Sequence, residues 1–216
     1  MVRQGPTKGG KGWILPVLIG MTLLAGHSVL GCSSDDDEST TVSPAQIRAA
    51  IEGFDGANIS SLDLDTIVEG CASAIPVLEE LLAQGDRAAR WAALVALSAV
   101  GHECNKAEAV LPLLKTALID PDIYADISMR VTAAELVTSF GDKAGIPVLI
   151  DAVDSNEKNL RPAEPPTSVC TQALSVLGHY LGHLTDQEYT EEAGWQNWWD
   201  TNQDSVEWDP DNERFS

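Results

Sequence analysis

The chain repeats itself at a fixed interval. The strings "SAIPVLEELLAQ", "EAVLPLLKTALID" and "AGIPVLIDAVDS" each set apolar residues around a proline, and Pro76, Pro112 and Pro147 stand 36 and 35 residues apart. A period of that size marks a stacked architecture, in which each unit buries its apolar face only against its neighbours. Within each string the apolar residues recur at helical spacing: Ile75, Leu78, Leu81 and Leu82; Val110, Leu113, Leu114 and Ala117; Ile146, Leu149, Ile150 and Val153. A proline near a helix start is tolerated because the first amide donors have no intrahelical acceptor. The three strings therefore predict the first helices of three hairpins.

A second set of strings follows: "GDRAARWAALVALSAVG", "ADISMRVTAAELVTSFG" and "SVCTQALSVLGHYLG". In the first two, Asp86 and Asp126 precede Arg90 and Arg130 by four residues, and Gly101 and Gly141 lie eleven residues beyond each Arg. An Asp at a helix start accepts orphan amide bonds and suits the dipole, and a Gly at the end adopts the left-handed turn. The second helices are predicted over 87–100, 127–140 and 167–181.

These residues resemble the HEAT-repeat family, a solenoid of antiparallel helix pairs. The proline of the first helix, the Asp and Arg of the second, the small-residue runs "AAL" and "TAA" and the closing Gly carry the resemblance over residues 71–184. It is weakest in the third unit, where "NEKNLRPAEPP" lengthens the turn and Thr171 stands where Arg is expected. The expected fold class is all-α: a short α-solenoid of about three antiparallel helix hairpins (HEAT-like) with N- and C-terminal capping helices. The resemblance implies that Arg90 and Arg130 pair with Asp86 and Asp126 and tie repeats together. It also implies a groove lined by the second helices, with Arg90, Arg130 and Gln172 as the candidate binding surface.

A stack of three units leaves apolar faces open at both ends. Over 43–70, "SPAQIRAAIEGF" reads as a helix with Ser43 as cap and Pro44 at its first position, covering the first unit. Over 185–216, "TEEAGWQNWWDTNQ" has Thr190 as cap and places Trp195, Trp198 and Trp199 at the i, i+3, i+4 positions of one helical face. Trp208 and Phe215 then return along the same surface. Such a helix is a lid on the last unit; the alternative is an exposed aromatic platform for a glycan or a partner.

The N-terminus, residues 1–31, is laid out as a secretory signal: Arg3, Lys8 and Lys11, an apolar run from Trp13 to about Ala25, then small residues before Cys32. Its end, "SVLGC", resembles a bacterial lipobox, which implies cleavage before Cys32, lipidation of that residue and anchorage in the lipid bilayer. Ser33 after the Cys implies outer-membrane sorting in some bacteria, leaving open whether the periplasmic or surface face is occupied. Residues 32–42, "CSSDDDESTTV", read as an acidic flexible tether. The leader holds three of the 13 basic residues and none of the 33 acidic ones, so the mature chain carries 10 against 33, a net −23. Such a field repels nucleic acid and anionic headgroups and suits solubility beside a membrane, or a basic protein partner.

Cys71, Cys104 and Cys170 remain. In an antiparallel hairpin the start of the first helix and the end of the second lie together, so a Cys71–Cys104 disulfide is sterically sensible, with Cys170 buried and free. Three reduced thiols packed as small apolar groups are the alternative.

Catalytic signals are sparse. His179 and His183 have the helical i, i+4 spacing of metal ligands, but no third ligand completes the constellation. "GHEC", with His102 and Glu103, is similar to one of the four His-Glu pairs of deoxyhypusine hydroxylase, a di-iron enzyme on a HEAT-like scaffold; this chain has one. "DPDNE" alternates Asp209, Asp211 and Glu213 but lacks the glycine and distal glutamate of a calcium loop, and reads as solvated tail. No phosphate loop, serine elbow or paired-cysteine redox motif appears. The function these residues imply is a membrane-anchored, non-catalytic protein-protein interaction scaffold without cofactor. A metal-dependent or lyase-type enzyme on a HEAT-like scaffold, with metal at His179 and His183, and a glycan-binding protein are the alternatives.

Overall fold

The computed structural model describes residues 42–52, 54, 61–153, 167–185 and 189–216, and these form an all-α fold with one short β-ribbon. Side-chain caps decide where its helices begin. The Ser43 hydroxyl accepts the Gln46 N–H (3.3 Å) while Gln46 Oε1 accepts the Ser43 N–H (2.9 Å), a reciprocal capping box that opens α1 (Pro44–Glu52). Asp63 caps α2 (Leu64–Gly70) through the Thr66 N–H, a helix the repeat pattern does not announce. A 3₁₀ turn over Cys71–Ser73 leads into α3 (Ile75–Gln84). Asp86 accepts the Ala89 N–H at 2.9 Å and starts α4 (Arg87–Glu103). Next come α5 (Ala107–Ile119) and the single turn α6 (Pro121–Tyr124), capped by Asp120. Asp126, accepting from Ser128 and Met129, starts α7 (Ile127–Ser139). Then follow α8 (Gly145–Val153), α9 (Thr167–Leu181) and α10 (Glu192–Asn202). The ribbon pairs β1 (Trp208–Asp209) antiparallel with β2 (Arg214–Phe215), Trp208 opposite Phe215.

Three local expectations need correction. Pro76 and Pro147 lie in the first turn of their helices, but Pro112 is the sixth residue of α5 and removes an amide donor from its interior. Gly101 does not end a helix: α4 runs through it to Glu103. Its missing side chain admits the Phe140 ring, whose Cζ lies 2.5 Å from where a Cβ would sit. Gly141 does terminate α7, with φ +77° and its N–H donating to Thr138 O at 2.9 Å. Thr190 is not a cap; α10 starts at Glu192 behind Glu191, which makes no side-chain capping bond.

Packing follows chain order. α3 lies on α4, α4 on α5, α5 on α7, α7 on α8 and α8 on α9, while α4 also meets α7 and α7 meets α9. One apolar core runs through all of it, from Val42 and Ile47 through Leu94, Leu97, Leu114, Val137 and Leu149 to Leu177 and Phe215. At the N-terminal end α1 rests on α2 and α4, and Phe54 meets the Trp91 ring edge-on at 6.5 Å. At the other end α10 lies on α8 and buries Trp195 and Trp199 to 3% exposure each, with Trp198 half-buried. The aromatic face is thus turned into the core. Among the described residues no helix is long and apolar enough to cross a membrane.

Candidate functional site

Of the three candidate groove residues, Arg130 is buried and all three are tied to neighbouring helices. Arg90 donates through Nε to Gly85 O (2.9 Å) and through Nη1 to Asp122 (3.0 Å), with Asp120 at 3.7 Å. Its partners are thus the end of α3 and the turn at α6; Asp86, expected as partner, is occupied in capping α4. Arg130 has a side chain only 7% exposed and reaches Asp151 on α8 at 3.0 Å. Asp126, at the start of α7, receives Arg87 of α4, whose guanidinium also lies 5.5 Å from the centroid of the Trp91 ring. Gln172 donates to Glu135, joining α9 to α7 at 2.8 Å. Inter-helix ties of the expected kind are present, then, but with different partners. The Asp four residues before Arg90 and Arg130 caps its own helix, and each cation reaches to another element.

Asp126 shows the consequence for pH. Burial pushes its carboxyl up, but the Arg87 hydrogen bond, the Met129 and Ser128 amides and the Arg87 charge outweigh this and hold it below its ordinary 3.8. A carboxyl depressed in the folded state contributes stability that is complete above its unfolded pKa and lost as pH falls through the folded one. Asp126→Asn keeps a capping oxygen and removes the charge. Chemical denaturation of both proteins should show wild type more stable at neutral pH and the gap narrowing below about pH 4. A gap independent of pH would mean that the charge contributes nothing.

A different set of side chains gathers where the ends of α4, α7 and α9 meet the ribbon. The His102 ring stacks on Phe140 with centroids 4.1 Å apart, and its Nε2 is 3.3 Å from the Ser139 hydroxyl. Tyr180 lies beside Trp208 at 6.0 Å, and Trp208 meets Phe215 edge-on at 5.2 Å. Carboxylates border these rings. Burial lowers the His102 pKa, while Glu213 and Glu103 pull it up. Burial, then Glu135 and Glu213, raise the Tyr180 hydroxyl well above its ordinary range. Glu135 itself is raised by burial, against the opposing Gln172 hydrogen bond and the His179 ring. The result is a strip of rings from His102 and Phe140 to Tyr180 and Trp208, edged by Glu103 and Glu213. It was legible only in part: Trp208 stood out, but Phe140 read as the end of a helix, and the lone carboxyl within "AAELV" is the one signal for Glu135.

The remaining candidates are dispersed. His179 stands against Tyr180 edge-on, at 4.7 Å, exposed on α9. His183 lies in the 3₁₀ turn beyond, its pKa lowered by burial and by Arg214 and raised by the Phe215 backbone. Among the described residues no three or more His, Cys, Asp or Glu side chains converge as a metal site. Asp209 accepts the Asp211 and Asn212 N–H groups and the Asn212 side chain, so "DPDNE" is the turn of the ribbon rather than a loose tail. Cys71 and Cys104 come together as thiols with no disulfide between them, and Cys170, also outside any disulfide, is half-buried on α9, not fully buried as expected. Cys32 and the whole leader and tether lie outside the described residues. No protein-family model, curated protein or solved structure matches this chain.

Proposed function

We propose that the chain is a HEAT-type repeat protein, held at a bacterial envelope membrane by lipidated Cys32, that acts as a non-catalytic scaffold for a basic protein partner. The order of packing supports the repeat: helices meet in chain order, and α7 also touches both α4 and α9, the second helices of the neighbouring units. The strip of His102, Phe140, Tyr180 and Trp208 beside Glu103 and Glu213 is the observation that carries the partner's chemistry. Aromatic faces attract guanidinium and ammonium groups, and flanking carboxylates add a charge-assisted bond. A net charge of −20 over the whole chain adds long-range attraction for a cation-rich surface. Lys115 and Arg130, which would weaken such a field, are neutralised by Asp142 and Asp151.

The test is crosslinking in intact cells followed by co-purification. The expected capture is a protein with a basic face, whose complex weakens as salt rises and weakens further in Glu213→Lys. Cys32→Ser should move the chain from the membrane fraction to the soluble one. Capture that ignores both salt and the charge reversal would sink the basic-partner reading; a stoichiometric transition metal in protein purified without a His tag would favour an enzyme.

A further inference from the structure

Two cysteines from separate elements converge on one backbone carbonyl. Cys71 is the C-cap of α2, its N–H donating to Ile67 O and Val68 O. Cys104 is the C-cap of α4, and its Sγ donates to that same Val68 O at 3.4 Å. The two thiols are hydrogen-bond neighbours, and both residues are half-buried, so solvent reaches the pair. The backbone at Cys71 is unusual: φ +46° and ψ −119° belong to the region where a turn ordinarily takes glycine. A Cys there turns its Sγ toward the end of α4.

We propose that Cys71 and Cys104 are a disulfide-forming site, closing a covalent link between the turn before α3 and the end of α4, with an exogenous disulfide (a small one such as glutathione disulfide, or that of a protein oxidase) as the oxidant. One Cys thiolate attacks the oxidant's S–S bond, forming a mixed disulfide and releasing one oxidant thiolate. The second cysteine gives up its proton, attacks the bound Cys sulfur and expels the other oxidant thiolate. Two thiols thus lose two electrons and two protons, and the oxidant becomes a dithiol. Burial and the adjoining Cys71 thiol push Cys104 up to about 11, so closure by Cys104 quickens as pH rises. Cys170, on α9, which packs against α7 and α8, stays outside the pair. The inference is independent of the partner proposed above.

The experiment starts from the full chain carrying Cys32→Ser, purified reduced, which leaves Cys71, Cys104 and Cys170 as its thiols whether or not the natural chain is lipidated. After incubation with glutathione disulfide, free thiols are alkylated, the protein is digested without reductant and the peptides are mapped by mass. The expected result is one crosslinked species, Cys71 to Cys104, with Cys170 alkylated, and a thermal midpoint several degrees above that of the reduced protein. In Cys104→Ser the map should show glutathione retained on Cys71, an adduct that the parent protein resolves. Full alkylation of Cys71 and Cys104 in the parent protein, a stable glutathione adduct there, or a crosslink to Cys170 would each overturn the proposal.

Discussion

Trp199→Ala should lower the stability of this protein by about 3–5 kcal/mol, the range for truncating a fully packed large aromatic side chain. Trp199 and Trp195 are each 3% exposed, and α10 lies on α8, whose Ile146, Leu149, Ile150 and Val153 belong to the same apolar core. Removing the indole leaves a cavity that the flanking Trp198 ring, 6.5 Å away, does not fill without leaving its own edge-on contact with Trp195. Urea denaturation monitored by circular dichroism measures the loss. Trp198→Ala, at a half-buried position, should cost distinctly less, whereas the sequence pattern alone ranks the three rings together. Equal, small losses at both positions would mean that α10 is not part of the core.

Gly141→Ala should cost about 2–5 kcal/mol, a large penalty for one methyl group. Two terms combine. At φ +77° an L-residue with a Cβ pays about 1–2 kcal/mol. The new Cβ also strikes Trp208 at its Cγ, the root of the ring, which moves only if β1 moves with it; forcing a methyl into such a contact adds about 1–3 kcal/mol. Gly101→Ala is the matched comparison. There the contact is with the tip of the half-buried Phe140 ring, which can move by giving up part of its stacking on His102, and alanine regains about 1 kcal/mol of helix propensity, so the net change should be smaller. Thermal or urea unfolding of the two variants side by side reads the difference; comparable losses would show that the Trp208 contact does not matter.

The features legible in the sequence were those governed by local chemistry. Ser43, Asp86 and Asp126 cap the helices expected of them, and α9 spans Thr167–Leu181 as predicted, because a cap needs only the residues on either side of it. The misreadings share one cause, contacts between distant segments. Gly101 looked like a helix end until Phe140, from the next unit, was found to occupy the space it leaves. Arg90 looked paired with Asp86 four residues away, but the capping bond claims that carboxylate and the α6 turn brings Asp122 within reach. The strip of rings at His102, Phe140, Tyr180 and Trp208 draws on α4, α7, α9 and the ribbon at once. No spacing within one helix could announce it.

Three of the polar ties between helices have a similar length along the chain. Arg87 and Asp126 are 39 residues apart, His102 and Ser139 are 37 apart, and Glu135 and Gln172 are 37 apart, all close to the interval between the proline strings. Arg90–Asp122, Lys115–Asp142 and Lys143–Gln203, at 32, 27 and 60 residues, depart from it. On the repeat reading proposed above, gaining or losing a whole interval by unequal recombination would leave the three regular ties matched, whereas a change of half an interval would strand them. Length is then the easy axis of evolutionary change. The tryptophan-bearing end has to travel with whichever unit comes last.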